Sequence, residues 1–298
     1  MRALITGGRG FVGHWLASHL EAAGDEVVIT DTEVDVADLE AVSTSFAEHQ
    51  PEAIYHLAAL SHVGASWEDP SAVLRINVLG TAMVLAAARR LDPSPRVLVI
   101  SSAEVYGQVR PVELPLTEES PLRPVSPYAG SKAAAEQLAI QAVLGFGQDV
   151  VIARPFNHIG PGQRPNFAVA ALSSRIAEAV QQGATSMRVG NLSAARDFTD
   201  VRDVVAAYRC LVTSGDQGQV YNVCTGRAVE IGDVARQLCD LAGVSLDFEV
   251  DPALFRPVDV PVLCGSADRL FAATGWTPSI PLETTLTDVL AAHGIERH

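Results

Sequence analysis

The sequence predicts an α/β protein, a doubly wound parallel sheet with a smaller, interleaved C-terminal α/β domain. Three observations point there. Short β-rich runs alternate with amphipathic helical patterns through the first half. A glycine-rich turn follows the first of those runs. After Pro155 the pattern changes: residues 160–167 are rich in Gly, Pro and polar side chains, and later elements are shorter and less regular.

Strands are expected at residues 3–6, 26–30, 53–57, 96–101 and 149–153, each near-continuously apolar as a parallel strand covered on both faces must be. Helical patterns lie at about 11–22, 36–49, 70–90 and 127–144. Ser126-Pro127 opens the last of these with a favoured N-cap and with proline at N1, where a backbone donor would lack a partner anyway. Gly145 is placed to end it. A helix over 201–211 and a strand over 219–223 read as a return to the sheet. The expected division is 1–155 with 201–225 as one domain, and 156–200 with 226–298 as the other.

Composition narrows the partners. The 298 residues carry 35 Asp+Glu against 21 Lys+Arg, a formal net charge of −14. Only one of the basic residues is lysine, Lys132. Neutralising a polyanion needs a basic face, so nucleic acid and anionic membrane surfaces are excluded as partners. No basic leader with an apolar stretch precedes the first strand, and no apolar run reaches the roughly 20 residues of a membrane helix. A cytoplasmic protein is expected. Cys210, Cys224, Cys239 and Cys264 are scattered singles, read as buried thiols rather than a metal site.

Directly after the first strand comes Thr6-Gly7-Gly8-Arg9-Gly10-Phe11-Val12-Gly13, a G-x-x-G-x-x-G run that opens a helix. Gly7, Gly10 and Gly13 let the backbone approach a pyrophosphate, with the first-turn N–H groups of Phe11 and Val12 beside it. In a βαβ setting this marks a dinucleotide site. Asp31, about twenty residues on at the end of the second strand, is placed to accept from the adenosine ribose. No Lys or Arg occurs between Arg9 and Arg75, which favours NAD(H). Arg9 is the complication that leaves NADP(H) open, because it could reach a 2′-phosphate. Asp35 and Val36 are placed near the adenine, and Leu57, Ala58 and Ala59 form a floor under the cofactor.

Tyr128-x-x-x-Lys132 puts a phenol and an ammonium on one helical face. Held together, and near an oxidised nicotinamide, the cation is expected to favour phenolate and lower the tyrosine pKa, making Tyr128 a usable acid/base. Ser102, just past the fourth strand, would donate to the same substrate oxygen. A compact ammonium reaches two ribose hydroxyls and the phenol where a guanidinium fork cannot.

The motifs TGGRGFVG (6–13), HLAA (56–59), SSAEVYG (101–107) and SPYAGSK (126–132) resemble those of the extended short-chain dehydrogenases/reductases over essentially the whole chain. That resemblance implies a Rossmann cofactor domain, a Ser102, Tyr128 and Lys132 triad, cofactor contacts that include Asn77 and Ser101, and a homodimer through a four-helix bundle of the 70–90 and 127–144 helices. The segment Phe156-Asn157-His158-Ile159-Gly160-Pro161-Gly162-Gln163 looks like the family's substrate-phosphate segment, with Asn157 at substrate. Val189-Gly190-Asn191-Leu192, followed by Arg196-Asp197-Phe198, resembles the pattern of enzymes acting on GDP-hexoses. Arg256-Pro257-Val258-Asp259-Val260 resembles a segment shared by GDP-mannose 4,6-dehydratases and GDP-4-keto-6-deoxy-mannose reductases, although the Asp259 position more commonly holds glutamate. Arg196 and Arg256 would then clamp a diphosphate.

Glu104 stands where the dehydratases place their catalytic glutamate, and similar reductases carry one there too. The chain is short for a dehydratase, and Gly10-Phe11-Val12-Gly13 replaces their Gly-Gln-Asp-Gly. Its Asn-His-Ile segment is also closer to the reductases than the dehydratases' Asn-His-Glu. The link between Asp31 and the next helix is shorter than such reductases usually have. The resemblance therefore implies reduction of a GDP-4-keto-6-deoxy sugar to GDP-D-rhamnose or its C4 epimer. GDP-mannose 4,6-dehydration is the alternative and nucleotide-sugar C4 epimerisation the third.

Overall fold

In the computed structural model, which describes residues 1–255 and 258–295, the first half folds as alternating strands and helices. Strands β1 (Arg2–Thr6), β2 (Glu26–Thr30), β3 (Ala53–His56), β4 (Arg96–Ile100), β5 (Val150–Pro155) and the later β9 (Val220–Val223) form a six-stranded parallel sheet ordered β2-β1-β3-β4-β5-β9. The order reverses between β1 and β3, so both strand ends open onto one crevice, with Thr6 in register with His56. Helices α1 (Phe11–Ala22) and α7 (Val201–Ser214) cover one face of the sheet. There Leu16, Leu20, Val204 and Tyr208 pack on Ile5, Tyr55 and Leu98. On the other face lie α2 (Leu39–His49), α3 (Pro70–Leu74), α4 (Gly80–Ala88) and α5 (Pro127–Phe146). Phe46, Val84, Leu85 and Ala139 pack there on Leu4, Ile54 and Val99. Each such aliphatic side chain contributes roughly 1.5–3 kcal/mol of apolar transfer.

Several boundaries depart from the sequence expectation for local reasons. Helix α2 starts at Leu39 rather than 36, because the Asp38 side chain caps the Glu40 and Ala41 N–H groups. Val36 instead lies in the core, where a Cβ on Gly80 would stand 2.9 Å from it. Helix α5 runs through Gly145 and ends at Gly147, which takes the left-handed conformation at φ 68°. The helix expected over 70–90 is interrupted by a π-helical segment, Arg75–Leu79, between α3 and α4. Within the described residues, Pro70–Ala88 is one stretch with the length and mean hydropathy (1.6) of a membrane span. Val84, Leu85, Ala87 and Ala88 lie buried in the sheet's core.

Strand β6 (Asn157–Ile159) follows β5 directly and starts the second unit at the C-terminal edge of the sheet. It pairs with β8 (Ala195–Asp200), which also pairs with β10 (Ala228–Glu230) and β12 (Val262–Leu263). A second ladder joins β7 (Ser186–Val189) to β11 (Asp247–Val250). Helices α6 (Ala168–Gln182), α8 (Ile231–Ala242) and α10 (Leu282–Ala292) enclose a separate core of Ile176, Val189, Phe198, Leu238 and Leu286. The short helix α9 (Asp268–Thr274) packs back on the first unit through Leu270. Phe11 of the glycine turn stacks on His158 with centroids 6.4 Å apart, and Trp15 Nε1 donates to Pro161 O at 3.2 Å.

Candidate active site

The glycine turn sits at the sheet's switch point. Gly7 has φ +69°, and a Cβ there would lie 2.7 Å from Ala58 Cα, so glycine is required by both conformation and space. A Cβ at Gly13 would come within 2.4 Å of Gly8 O. Helix α1 begins at Gly10, which offers no side-chain cap, so its first-turn N–H groups remain for an anion. Leu57 N donates to Thr6 O at 3.1 Å and Ala58 N to Thr6 Oγ1 at 3.4 Å, seating the 57–59 loop beside the turn. These cradles fit a pyrophosphate.

Asp31 closes the rim. Its Oδ2 accepts the Arg9 N–H and its Oδ1 the Thr32 N–H, each at 2.9 Å. Asp35 accepts the Ala37 N–H at 3.0 Å and is ion-paired with Arg75. The Val36 side chain packs in the core.

Beyond β4, Ser101 and Ser102 lead into a 3₁₀ turn, where Ser102 Oγ accepts the Glu104 N–H at 3.2 Å. Ser126 caps α5 by accepting the Ala129 N–H at 3.1 Å, which orients the first turn carrying Tyr128. Tyr128 is 8% exposed and Lys132 6%. Burial pushes the Tyr128 phenol from 10.0 up to about 12, against a downward pull from Ser102 and with a further push from the Glu104 carboxylate. In the protein alone, desolvation of a phenolate outweighs the neighbouring hydroxyl. Lys132 Nζ points instead to Ile100 O at 2.8 Å. Burial lowers its ammonium from 10.5 to about 8.

Two buried polar groups here await partners among the described residues. The Lys132 ammonium has one hydrogen bond for three donors, and the 2%-exposed Ser101 has an unpartnered Oγ. A nicotinamide riboside, with its ribose hydroxyls and carboxamide, fits that donor set.

Sequence reasoning missed the chain of polar residues that ties this site to β1. Thr6 Oγ1 meets His56 Nδ1 at 2.7 Å, and His56 Nε2 meets Thr81 Oγ1 at 3.1 Å. The Thr81 hydroxyl donates to Asn77 O at 2.7 Å, so Nε2 must carry the histidine proton and Nδ1 accepts from Thr6. Burial, then the Lys132 charge, lowers the His56 pKa to about 3 and keeps the ring neutral. Asn77 was expected at the cofactor. It is 1% exposed, accepts the Leu60 N–H at 2.8 Å, and donates to Leu60 O at 3.1 Å and Ser131 Oγ at 2.9 Å. Ser131 in turn donates to Tyr128 O at 2.7 Å. Asn77 therefore fastens the loop after β3 to the helix bearing Tyr128. The π-helical segment around it was the only local signal, and it is invisible to a periodicity search.

In the second unit, three predicted residues meet. Arg196, 5% exposed, donates to Asp259 Oδ1 at 2.6 Å, Val260 O at 2.7 Å and Ala195 O at 2.9 Å. Asn191 Nδ2 donates to Asp259 Oδ2 at 2.8 Å, while its Oδ1 accepts from Ser193. Arg196 is thus fixed by Asp259 and two backbone carbonyls, and Asp259 ties it to Asn191. Val189 is fully buried in the second core, and Asn157 begins β6 beside Phe198. Arg256 lies outside the described residues. No cluster of three His, Cys, Asp or Glu suited to a metal occurs among the described residues.

Residues 30–289 match the protein family described as GDP-mannose 4,6 dehydratase. The chain is 39% identical over 294 residues to the GDP-6-deoxy-D-mannose reductase of Pseudomonas aeruginosa, covering 97% of this chain and 96% of that protein. The structure of RMD from Pseudomonas aeruginosa complexed with NADPH superposes with a TM-score of 0.89 at 38% identity, covering 98% and 99% of the two chains. The UDP-glucose 4-epimerase of Thermus thermophilus, solved with NAD, gives a TM-score of 0.89 at 28% identity over 99% of each chain.

Proposed function

The chain belongs to the GDP-mannose 4,6-dehydratase-like family of extended short-chain dehydrogenases/reductases, and on that premise we propose that it reduces GDP-4-keto-6-deoxy-D-mannose at C4. The product is GDP-D-rhamnose or its C4 epimer. The observation that carries this reading is the 39% identity over 294 residues to a GDP-6-deoxy-D-mannose reductase, together with a buried Tyr128 beside Ser102 and the buried Lys132 one turn along the same helix. A protonated phenol beside a serine hydroxyl can pass its proton to a carbonyl oxygen as that oxygen gains negative charge, provided the phenolate left behind is stabilised.

A bound NADH or NADPH supplies the hydride. Ser102 donates to the C4 carbonyl oxygen and fixes its position, and Tyr128 gives its proton to the same oxygen as negative charge develops there. Lys132 holds the nicotinamide ribose and stabilises the phenolate left behind. Glu104 acts on Tyr128 electrostatically and raises its pKa, which opposes formation of that phenolate and leaves its stabilisation to Lys132. Gly7, Gly10, Phe11, Val12 and Gly13 hold the pyrophosphate, Asp31 the adenosine ribose, and Ser101 the nicotinamide end. Residues 1–155 with 201–225 form the cofactor domain, and 156–200 with 226–298 the GDP-sugar domain, where Asn157, Asn191 and Asp259 face the substrate.

We further propose a cytoplasmic homodimer. Leu79, Leu144 and Phe146 are exposed on the helices that would pair across a four-helix bundle, which supports that assembly.

Mixing the protein with the 4-keto sugar and reduced cofactor should remove absorbance at the nicotinamide band. No loss sinks the proposal. Conversion of GDP-mannose without net cofactor consumption would identify the dehydratase, and tighter binding of UDP than GDP the epimerase.

A further inference from the structure

The loop after β2 sets Asp31, Glu33 and Asp35 against two arginines, Arg9 and Arg75. Arg9 leaves the glycine turn, and its Nη1 donates to Glu33 Oε2 at 2.9 Å. Glu33 is fixed at both oxygens, because Oε1 accepts the Asp31 N–H at 3.0 Å. Its own backbone N–H and that of Asp31, then Arg9, hold its carboxyl below the usual range, so it is charged at neutral pH. Arg75 is paired with Asp35 of the same loop. Each rim arginine is therefore held by a carboxylate of its own.

We infer, resting on dinucleotide binding at this site, that Glu33 is a cofactor-specificity residue: it engages Arg9 and so withholds the cation that a ribose 2′-phosphate would need. The chain then selects NADH over NADPH through the Arg9–Glu33 pair and not through Asp31 alone. A 2′-phosphate is anionic and calls for a guanidinium or ammonium partner. Here it would face the carboxylates of Asp31 and Glu33 while the nearest cation is engaged. The Glu33 carboxylate holds Asp31 at its backbone N–H, while the Asp31 side-chain oxygens accept from the Arg9 and Thr32 N–H groups. The pair is open to solvent, with side chains 66% and 43% exposed, so it is of little weight in folding. Replacing Glu33 by its amide preserves an acceptor for the Asp31 N–H and removes the hold on Arg9.

The test is equilibrium titration of wild type, Glu33→Gln and the Arg9→Ala/Glu33→Gln double variant with NADH and NADPH, followed by nicotinamide fluorescence without sugar. Calorimetry with 5′-ADP and 2′,5′-ADP repeats the comparison on the adenosine end alone. Wild type should bind NADH about tenfold more tightly than NADPH, and Glu33→Gln should tighten NADPH about tenfold while NADH stays within about threefold. Removing Arg9 in that background should return NADPH to its wild-type affinity. Equal wild-type affinities, an unmoved NADPH affinity in Glu33→Gln, or a gain that survives loss of Arg9 each overturns the inference. Failure to bind either dinucleotide takes down the inference and the proposed function together. A binding bias as expected without turnover of the keto sugar leaves the inference standing and removes the function alone.

Discussion

Two buried cations meet helix α5, Lys132 carried on it and Arg154 of β5 bonded to its Glu136, and they live in opposite circumstances. Arg154 of β5, 4% exposed, is bonded by Nε and Nη2 to the fully buried Glu136, and by Nη1 to Tyr106 Oη at 2.9 Å and Glu118 O at 3.1 Å. Lys132, one turn before Glu136 on the same helical face, has the single bond to Ile100 O among the described residues. Their proton affinities move in opposite directions. Arg154 is raised despite burial, through Glu136 and Tyr106, while Lys132 is lowered by burial alone. A buried charge whose partners all come from the protein belongs to the scaffold. One left short of partners is kept for something that arrives later.

The largest effect that could break this contrast is on turnover. Lys132→Met should cut kcat/KM about 10³-fold, and Lys132→Arg should lose most activity, because the broad fork displaces one partner. GDP binding should stay nearly unchanged in both. Lys132→Met should also melt no lower than wild type, since it removes a desolvated charge with one hydrogen bond. A scaffold role for Lys132 would show instead as a lower melting point with turnover preserved. The mirror experiment is Arg154→Met, which strands the Glu136 carboxylate in the core. It should cost about 3–5 kcal/mol in urea unfolding, with kcat of the folded fraction within a few-fold of wild type. A large kcat loss at unchanged stability would reverse the assignment.

The pH dependence gives a smaller effect of defined sign. Lys132 titrates at about 8 in the fold against 10.5 unfolded. Between those values the unfolded chain binds the extra proton, so this group makes stability rise with pH from about 8 to 10.5. Activity should fall over the lower part of that window as the ammonium is lost, while Tyr128 keeps its proton to about 12. Comparing melting curves of wild type and Lys132→Met across the window isolates the term; identical pH slopes would rule it out. The smallest effect lies at the far end of α5. Gly145→Ala meets only the flexible end of Gln141 and should stabilise by about 0.5–1 kcal/mol. Gly147→Ala, at φ 68°, should destabilise by about 1 kcal/mol, both read by thermal melting.

What could be read from the sequence was local. Apolar runs of strand length, the G-x-x-G-x-x-G turn and the Tyr128–Lys132 spacing each place their chemistry within a few residues, and the sheet follows from their alternation. What could not be read depends on residues distant in the chain. The grip of Glu33 on Arg9 spans 24 positions and that of Asn77 on Ser131 spans 54. His56 looked like part of a motif, and its tautomer is set only by Thr81 and Asn77. Sequence spacing likewise cannot reveal that Asp259 and Val260 O are seated on Arg196. The push of burial on Tyr128 is hidden for a related reason: spacing reports the neighbouring lysine but not the depth of burial.

The claim that joins these observations is that an undersupplied buried lysine and a proton-holding tyrosine make a carbonyl-reducing site. It is tested most directly by NMR of the reaction of GDP-4-keto-6-deoxy-D-mannose with reduced cofactor, run with wild type and with Lys132→Met at equal folded concentration. The predicted result is stoichiometric formation of a C4 alcohol by wild type, with one cofactor oxidised per sugar and product absent from the variant over the same period. Unchanged keto sugar with wild type, or equal product from the variant, would contradict it.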